Sequence, residues 1–271
     1  MARLAPHFQV FAVDLRGQGR SSRTSGRYTL DTFGDDLVRF IAFRIRRPVV
    51  VAGLSSGGVL AAWLSAYAPP GLLRGACYED PPLFASEVAP ACGPGIRQGL
   101  GPYFALLNRY LGDQWCVGDW AGFLAAATAA ALPMVGPAVW RWAATPAGPP
   151  QNLKEYDPEW GRAFATGTVA AGCDHERLLR RVRCPVLFTH HAWAVDEATG
   201  TLEGALSGRQ ADRVRELVRA AGQPLEFRAF PTMPHSLHGT DAELYAQVLV
   251  GWAGRLPSED ETRRRGVLAG D

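Results

Sequence analysis

Alternating strand-like and helical segments predict an α/β protein: a mostly parallel sheet with flanking helices. Three observations carry this reading. Val49, Val50 and Val51 are consecutive β-branched residues suited to a strand buried on both faces, and Leu60, Ala61, Leu64 and Tyr67 follow at helical spacing. Strand patterns recur at 72–78, 186–189 and 225–230, with helical patterns at 209–221 and 241–255. A length of 271 residues with 47% hydrophobic side chains is enough for one large core, so a single domain with an insertion is the simplest arrangement.

Taken in order, residues 8–13 alternate as a strand and run into Asp14-Leu15-Arg16-Gly17-Gln18-Gly19-Arg20-Ser21, a Gly-rich turn of the kind that shapes a crevice. A helix is expected over 31–43, with Phe33, Leu37, Phe40 and Ile41 on one face and Arg44, Arg46 and Arg47 closing it. The strand at 72–78 is stopped by Glu79-Asp80-Pro81-Pro82, which leaves two carboxylates at its carboxyl end. Between about 84 and 183 helical stretches are broken by Pro and Gly, and this region holds Trp115, Trp120, Trp140, Trp142 and Trp160, which reads as a helical cap. The expected organisation is therefore a core of 1–83 and 184–256, a cap or lid of 84–183, and a charged, aperiodic tail of 257–271 expected to be disordered.

Charge and cysteine content narrow the function. With 28 basic and 26 acidic residues the net charge is +2, which gives no reason to expect nucleic acid or an anionic membrane as partner. The expected partner is a small apolar ester or lactone, and the sequence leaves room for a homodimer. Cys77, Cys92, Cys116, Cys173 and Cys184 are odd in number and lack C-x-x-C spacing, so neither a disulfide framework nor a zinc site is expected. The first residues hold no apolar run of signal length, and no later stretch is long enough to span a bilayer; the expected compartment is the cytoplasm.

The chemistry centres on Gly53-Leu54-Ser55-Ser56-Gly57, a G-x-S-x-G pattern at a strand-to-helix turn. Such an elbow needs glycines beside the serine so that its hydroxyl is held in the open. A serine hydroxyl is a weak nucleophile until a base takes its proton and a third group fixes the tautomer of that base. His235, in the loop after the last strand, is the candidate base, with His238 as its competitor near the start of the final helix. His190 and His191 end their strand and read as polar residues at a crevice rim. Glu79, Asp80 and Asp196 are the candidate acids, with Glu79 preferred because it follows its strand at once and is fixed by two prolines and Asp196 and Asp80 as alternatives; Glu79 and Asp80, as neighbours on a strand, point to opposite faces, so only one of them can meet His235. The backbone N–H of Ser56 is the expected first oxyanion donor. No metal or cofactor is needed.

These residues resemble the α/β-hydrolase fold and, more narrowly, the actinobacterial type of zearalenone hydrolase, lactonases that open a fungal resorcylic macrolactone. The shared runs are VFAVDLRGQGRS, DDLVRFIA, RPVVVAG with SSGG and LAAWLSAYA, the GDQW and GDW pair, QNLKEYDPEWGRAF, and THH followed by GALS. The resemblance implies a triad of Ser55, Glu79 and His235, which raises Glu79 above Asp196, and a lid to which Tyr156 and Trp160 contribute. It also implies amino-terminal strands and an oxyanion loop ahead of the strand at 8–13, which this sequence does not show; the sheet is expected without them. A general carboxylesterase, or a non-catalytic ligand-binding protein of the same fold, remains compatible with the same residues.

Overall fold

The structure, a computed structural model, describes residues 1–110, 118–130 and 155–268. Its sheet contains four parallel strands in the order β1 (Val49–Leu54), β2 (Leu73–Glu79), β3 (Val186–His190) and β6 (Leu225–Ala229). Two short strands, β4 (Ala194–Val195) and β5 (Leu202–Glu203), form a separate antiparallel pair. Every residue of β3, and all but Arg74 of β2, is buried, which is why their sequences run apolar without alternation. β1 is only half-buried and Ala52 is exposed, so the valines taken for a strand covered on both faces belong to an edge of the four-stranded sheet.

The chain divides into two compact units. The first comprises Met1–Phe11, Gly34–Gly95 and Cys173–Asp271 and contains the sheet. Helix Ser56–Tyr67 packs on β1 and β2, and from Gly58 to Ala66 every residue is buried. Helix Ala242–Ala253 sends Leu249, Trp252 and Ala253 against Cys77 and Leu187. Helix Gly208–Ala220 opens on a capping box in which Ser207 and Gln210 satisfy each other's backbone amides. The boundaries of this unit leave 84–95 and 173–183 with the sheet, whereas the sequence assigned them to the cap. A short helix, His175–Leu179, explains part of that: Phe84 donates its amide to His175 Nδ1 at 2.8 Å and Glu87 accepts from the His175 amide.

The second unit comprises Ala12–Phe33 and Ile96–Gly172. Helices Arg97–Tyr110 and Pro158–Thr166 pack closely: a Cβ added to Gly161 would lie 2.9 Å from the Phe104 carbonyl oxygen. Leu107, Phe123 and Tyr156 form its core, with Trp120 of helix Trp120–Ala129 and Trp160 stacked on Phe123 and Phe164. The Gly-rich turn is tied to the same unit, since Gly17 accepts from the Asp157 amide and the Tyr28 hydroxyl donates to the Asp157 carboxylate. Trp115, Trp140, Trp142 and Cys116 lie outside the described residues.

Two expected elements differ. Residues 8–13 form no strand: Phe8 closes a turn onto Leu4 and both pack toward Trp252, while Phe11 meets Phe40 edge-on. Phe11 and Val13 are exposed, so the period-two alternation here corresponds neither to a strand nor to one buried face. The tail expected to be disordered contains a helix, Glu259–Leu268. Ser258 caps it through the Glu261 amide, Thr262 is buried, and Gly266 lies so near Gly71 that a Cβ would come within 2.7 Å of the Pro70 carbonyl oxygen. One docked face fixes a segment whose charges show no periodic stripe.

Candidate active site

Ser55 joins β1 to helix Ser56–Tyr67 with φ 56° and ψ −123°, a conformation that favours glycine and costs a residue with a side chain about 1–3 kcal/mol. Its amide donates to the Glu79 carbonyl at 2.9 Å, so the elbow is fastened to the end of β2, where Leu54 is in register with Glu79. Its carbonyl accepts from Gly58 and Val59 and starts the helix. Gly53 is sterically required, because a Cβ there would sit 2.2 Å from the Gly57 carbonyl oxygen. Gly57 is not, since nothing lies within 4 Å of such an atom. The second crowded position is Gly58, whose Cβ would meet the Gly53 carbonyl at 2.9 Å and the Pro81 ring at 3.0 Å. The glycines that shape the turn are therefore Gly53 and Gly58.

The two carboxylates at the end of β2 are both buried and each serves its own imidazole. Asp80, 1% exposed and at φ 41°, accepts from His235 Nδ1 at 2.7 Å through Oδ2 and from the His191 amide at 3.1 Å through Oδ1. Its own amide donates to the Thr189 carbonyl, which pins the turn to β3. Glu79 is hydrogen-bonded to the amide and Nδ1 of His238, the latter at 2.8 Å to Oε2. The pairing of Glu79 with His235 implied by the resemblance is thus replaced by Asp80 with His235. The reason is the alternation of side chains along a strand, which sends adjacent carboxylates to different histidines. The left-handed turn at Asp80 then brings its carboxylate to the His235 loop. The Glu79 hydrogen bond raises the His238 pKa above its usual value, with partial burial opposing.

Both imidazoles present Nδ1 to a carboxylate, so in each neutral ring Nδ1 carries the proton and Nε2 is the basic nitrogen. Ser55 Oγ is hydrogen-bonded to neither ring in this structure; without substrate such contacts are commonly long. The Ser56 amide heads its helix, among the N–H groups that lack an intrahelical acceptor.

The remaining sequence candidates fall elsewhere. Asp196 is exposed and accepts from the amide and hydroxyl of Thr199, both at 2.7 Å; these bonds hold its pKa below the usual carboxylate value. It closes the β4–β5 hairpin and contacts no imidazole among the described residues. Tyr156 is 3% exposed inside the aromatic core of the second unit, with Trp160 edge-on to it at 5.4 Å. The Tyr156 hydroxyl and Trp160 Nε1 are buried with no hydrogen-bond partner. His190 and His191, expected at a rim, are buried: His190 Nε2 meets the Leu206 carbonyl and His191 reaches the His235 loop. The cavity bounded by Phe84, Glu87, Asp174, Arg177 and Arg181 holds none of these residues. No helix among the described residues is long and apolar enough to cross a membrane.

An elbow serine after a parallel strand, an acid after the next strand and a histidine after the last define a hydrolase of the α/β class in fold and chain order. The chain belongs to the alpha/beta hydrolase family, whose family model matches residues 1–248. Among curated proteins no sequence matches it. Solved structures similar to it include a hydrolase from Oleispira antarctica, at 19% identity and a TM-score of 0.65, covering 94% of this chain and 84% of that one. An enol-lactonase from Burkholderia xenovorans aligns at 16% identity and a TM-score of 0.61 over 94% and 84% of the two chains. An esterase from Exiguobacterium antarcticum aligns at 14% identity and a TM-score of 0.61 over 90% and 80%. At these identities the likeness concerns the fold.

Proposed function

We propose that this protein is a serine-dependent hydrolase of carboxylic esters and lactones, acting through Ser55, His235 and Asp80 on zearalenone or a related resorcylic macrolactone. The observation that carries the reaction class is the conjunction of a serine at φ 56° with an imidazole whose Nδ1 is held 2.7 Å from a buried carboxylate. His235 Nε2 takes the Ser55 proton as Oγ attacks the lactone carbonyl, and the Ser56 N–H stabilises the oxyanion. Collapse breaks the ring C–O bond, the imidazolium gives its proton to the departing alkoxide, and the acyl group stays on Ser55. Water, deprotonated by His235, then releases the hydroxy acid.

The substrate assignment rests on the resemblance of the QNLKEYDPEWGRAF and THH runs. The lid assignment of Tyr156 and Trp160 rests on the same resemblance, since both lie in the QNLKEYDPEWGRAF run. Four free thiols, at Cys77, Cys92, Cys173 and Cys184, suit the cytoplasm. The test is incubation with zearalenone and with short p-nitrophenyl esters, following loss of each. Lactone opening that disappears in Ser55→Ala is expected. Turnover confined to the short esters replaces the substrate with that of a carboxylesterase, and undiminished turnover by Ser55→Ala overturns the mechanism.

A further inference from the structure

We propose that His191 is a positioning residue that clamps the acid and the base of this site together from the end of β3. Its side chain is fully buried, and its backbone and ring contact both partners. The amide donates to Asp80 Oδ1 at 3.1 Å. Ring Nδ1 faces the carbonyl oxygens of His235 at 2.9 Å and Pro234 at 3.1 Å. Carbonyls only accept, so Nδ1 bears the proton. That leaves Nε2 bare in the neutral ring, and it accepts from the Thr189 hydroxyl at 3.0 Å. Thr189 and His191 alternate along the chain onto one side, so the strand supplies both the ring and the hydroxyl that fixes its tautomer. The neighbouring tie from the Ala192 amide to the Met233 carbonyl holds the start of the same loop.

The consequence lies in the placing of His235. Its imidazole is 44% exposed, on a loop whose hold on the sheet beside the ring is this set of bonds. His191 Nδ1 also lies 3.9 Å from Asp80 Oδ2, the oxygen that receives His235 Nδ1, while its N–H is directed to the two loop carbonyls. Around His235 the titratable neighbours are Asp80 and His191, each one residue past the end of β2 and β3, with His238 and Glu79 forming the adjacent pair. With His191 replaced by an apolar side chain, two loop carbonyls lose their donor and the His235–Asp80 distance is no longer enforced.

Only the kinetic arm of the test rests on the hydrolase reading. His191→Leu, His191→Asn, whose amide can still donate near the Nδ1 position, and Thr189→Val are compared with the wild-type protein by thermal unfolding and proton NMR. Labelling of Ser55 by a fluorophosphonate is followed across pH. The downfield resonance of the His235 Nδ1 proton is expected in wild type and His191→Asn and lost in His191→Leu. Labelling should slow roughly 10- to 100-fold in His191→Leu, the scale of a misplaced catalytic group. His191→Asn restores most of both, and Thr189→Val shifts each in the same direction as His191→Leu. A folded His191→Leu protein with the wild-type resonance and labelling rate overturns the clamp; if that variant does not fold, an unchanged Thr189→Val does so. If wild type is not labelled while the resonance responds as described, the clamp stands and the hydrolase reading falls.

Discussion

At the level of single residues, the site contains two buried carboxylates, each paired with a half-exposed imidazole, and the pairs are chemically unequal. Asp80 is braced by a backbone amide of the next strand and by its left-handed turn, which fits a group whose task is to hold one tautomer. Asp80→Asn should therefore lower kcat by about 10³ to 10⁴, the cost of a wrongly oriented imidazole. Glu79→Gln should leave a far larger fraction of the rate. Ester hydrolysis by the two folded variants decides between them, and the reverse order would return the acid role to Glu79. The sequence made His235, Ser55 and the short list of acids readable from chain order and strand ends. It favoured Glu79 over Asp80 for His235, because which carboxylate meets which histidine depends on the register of β2 with β3 and on one backbone turn at Asp80. His191 was visible only as a polar residue at a strand end; its alternation with Thr189 was the available signal.

At the level of elements, the strand-turn-helix around Ser55 was legible because a β-branched run, a glycine pair and a helical period agree locally. The crowding at the turn was not legible, since it is set by how the helix start folds back on the strand. Gly53→Ala places a Cβ 2.2 Å from the Gly57 carbonyl oxygen, and backbone cannot yield cheaply, so a loss of about 3 kcal/mol or more is expected. Gly57→Ala meets nothing within 4 Å and has no positive φ, so it should be neutral or stabilise by up to about 1 kcal/mol. Urea unfolding of both variants checks the contrast. Glu259–Leu268 is helical without an apolar stripe because its docking beside Gly71 outweighs the local pattern, whereas residues 8–13 alternate yet pair with no strand, and Phe11 and Val13 stay exposed.

For the molecule as a whole, two histidines act on stability in opposite senses as acid is added. Burial pushes the His175 pKa down to about 4; its Nδ1 accepts from Phe84 and its Nε2 has no partner. The unfolded chain therefore binds its proton first, and stability falls as pH drops from about 6.5 through 4, by on the order of 3 kcal/mol. His238 has a raised pKa, so its contribution is complete below about 6.5 and fades as pH rises through the folded value. It is half-exposed and screened, so the buried residue dominates. His175→Asn keeps an acceptor for Phe84 and does not titrate in this range. Its urea midpoint should change distinctly less than that of wild type between pH 7.5 and 4.5. The α/β class itself was legible at this scale from the order of strands and helices, which survives local errors at either end of the chain.

Ser55 sits where glycine would be more comfortable, and this sets stability and chemistry against each other at one codon. In a randomised library screened for folded protein alone, glycine at 55 should gain on serine. Screened for ester cleavage, serine returns. The frequency ratio between the two screens would measure, in units of selection, how much fold this protein surrenders to keep one hydroxyl.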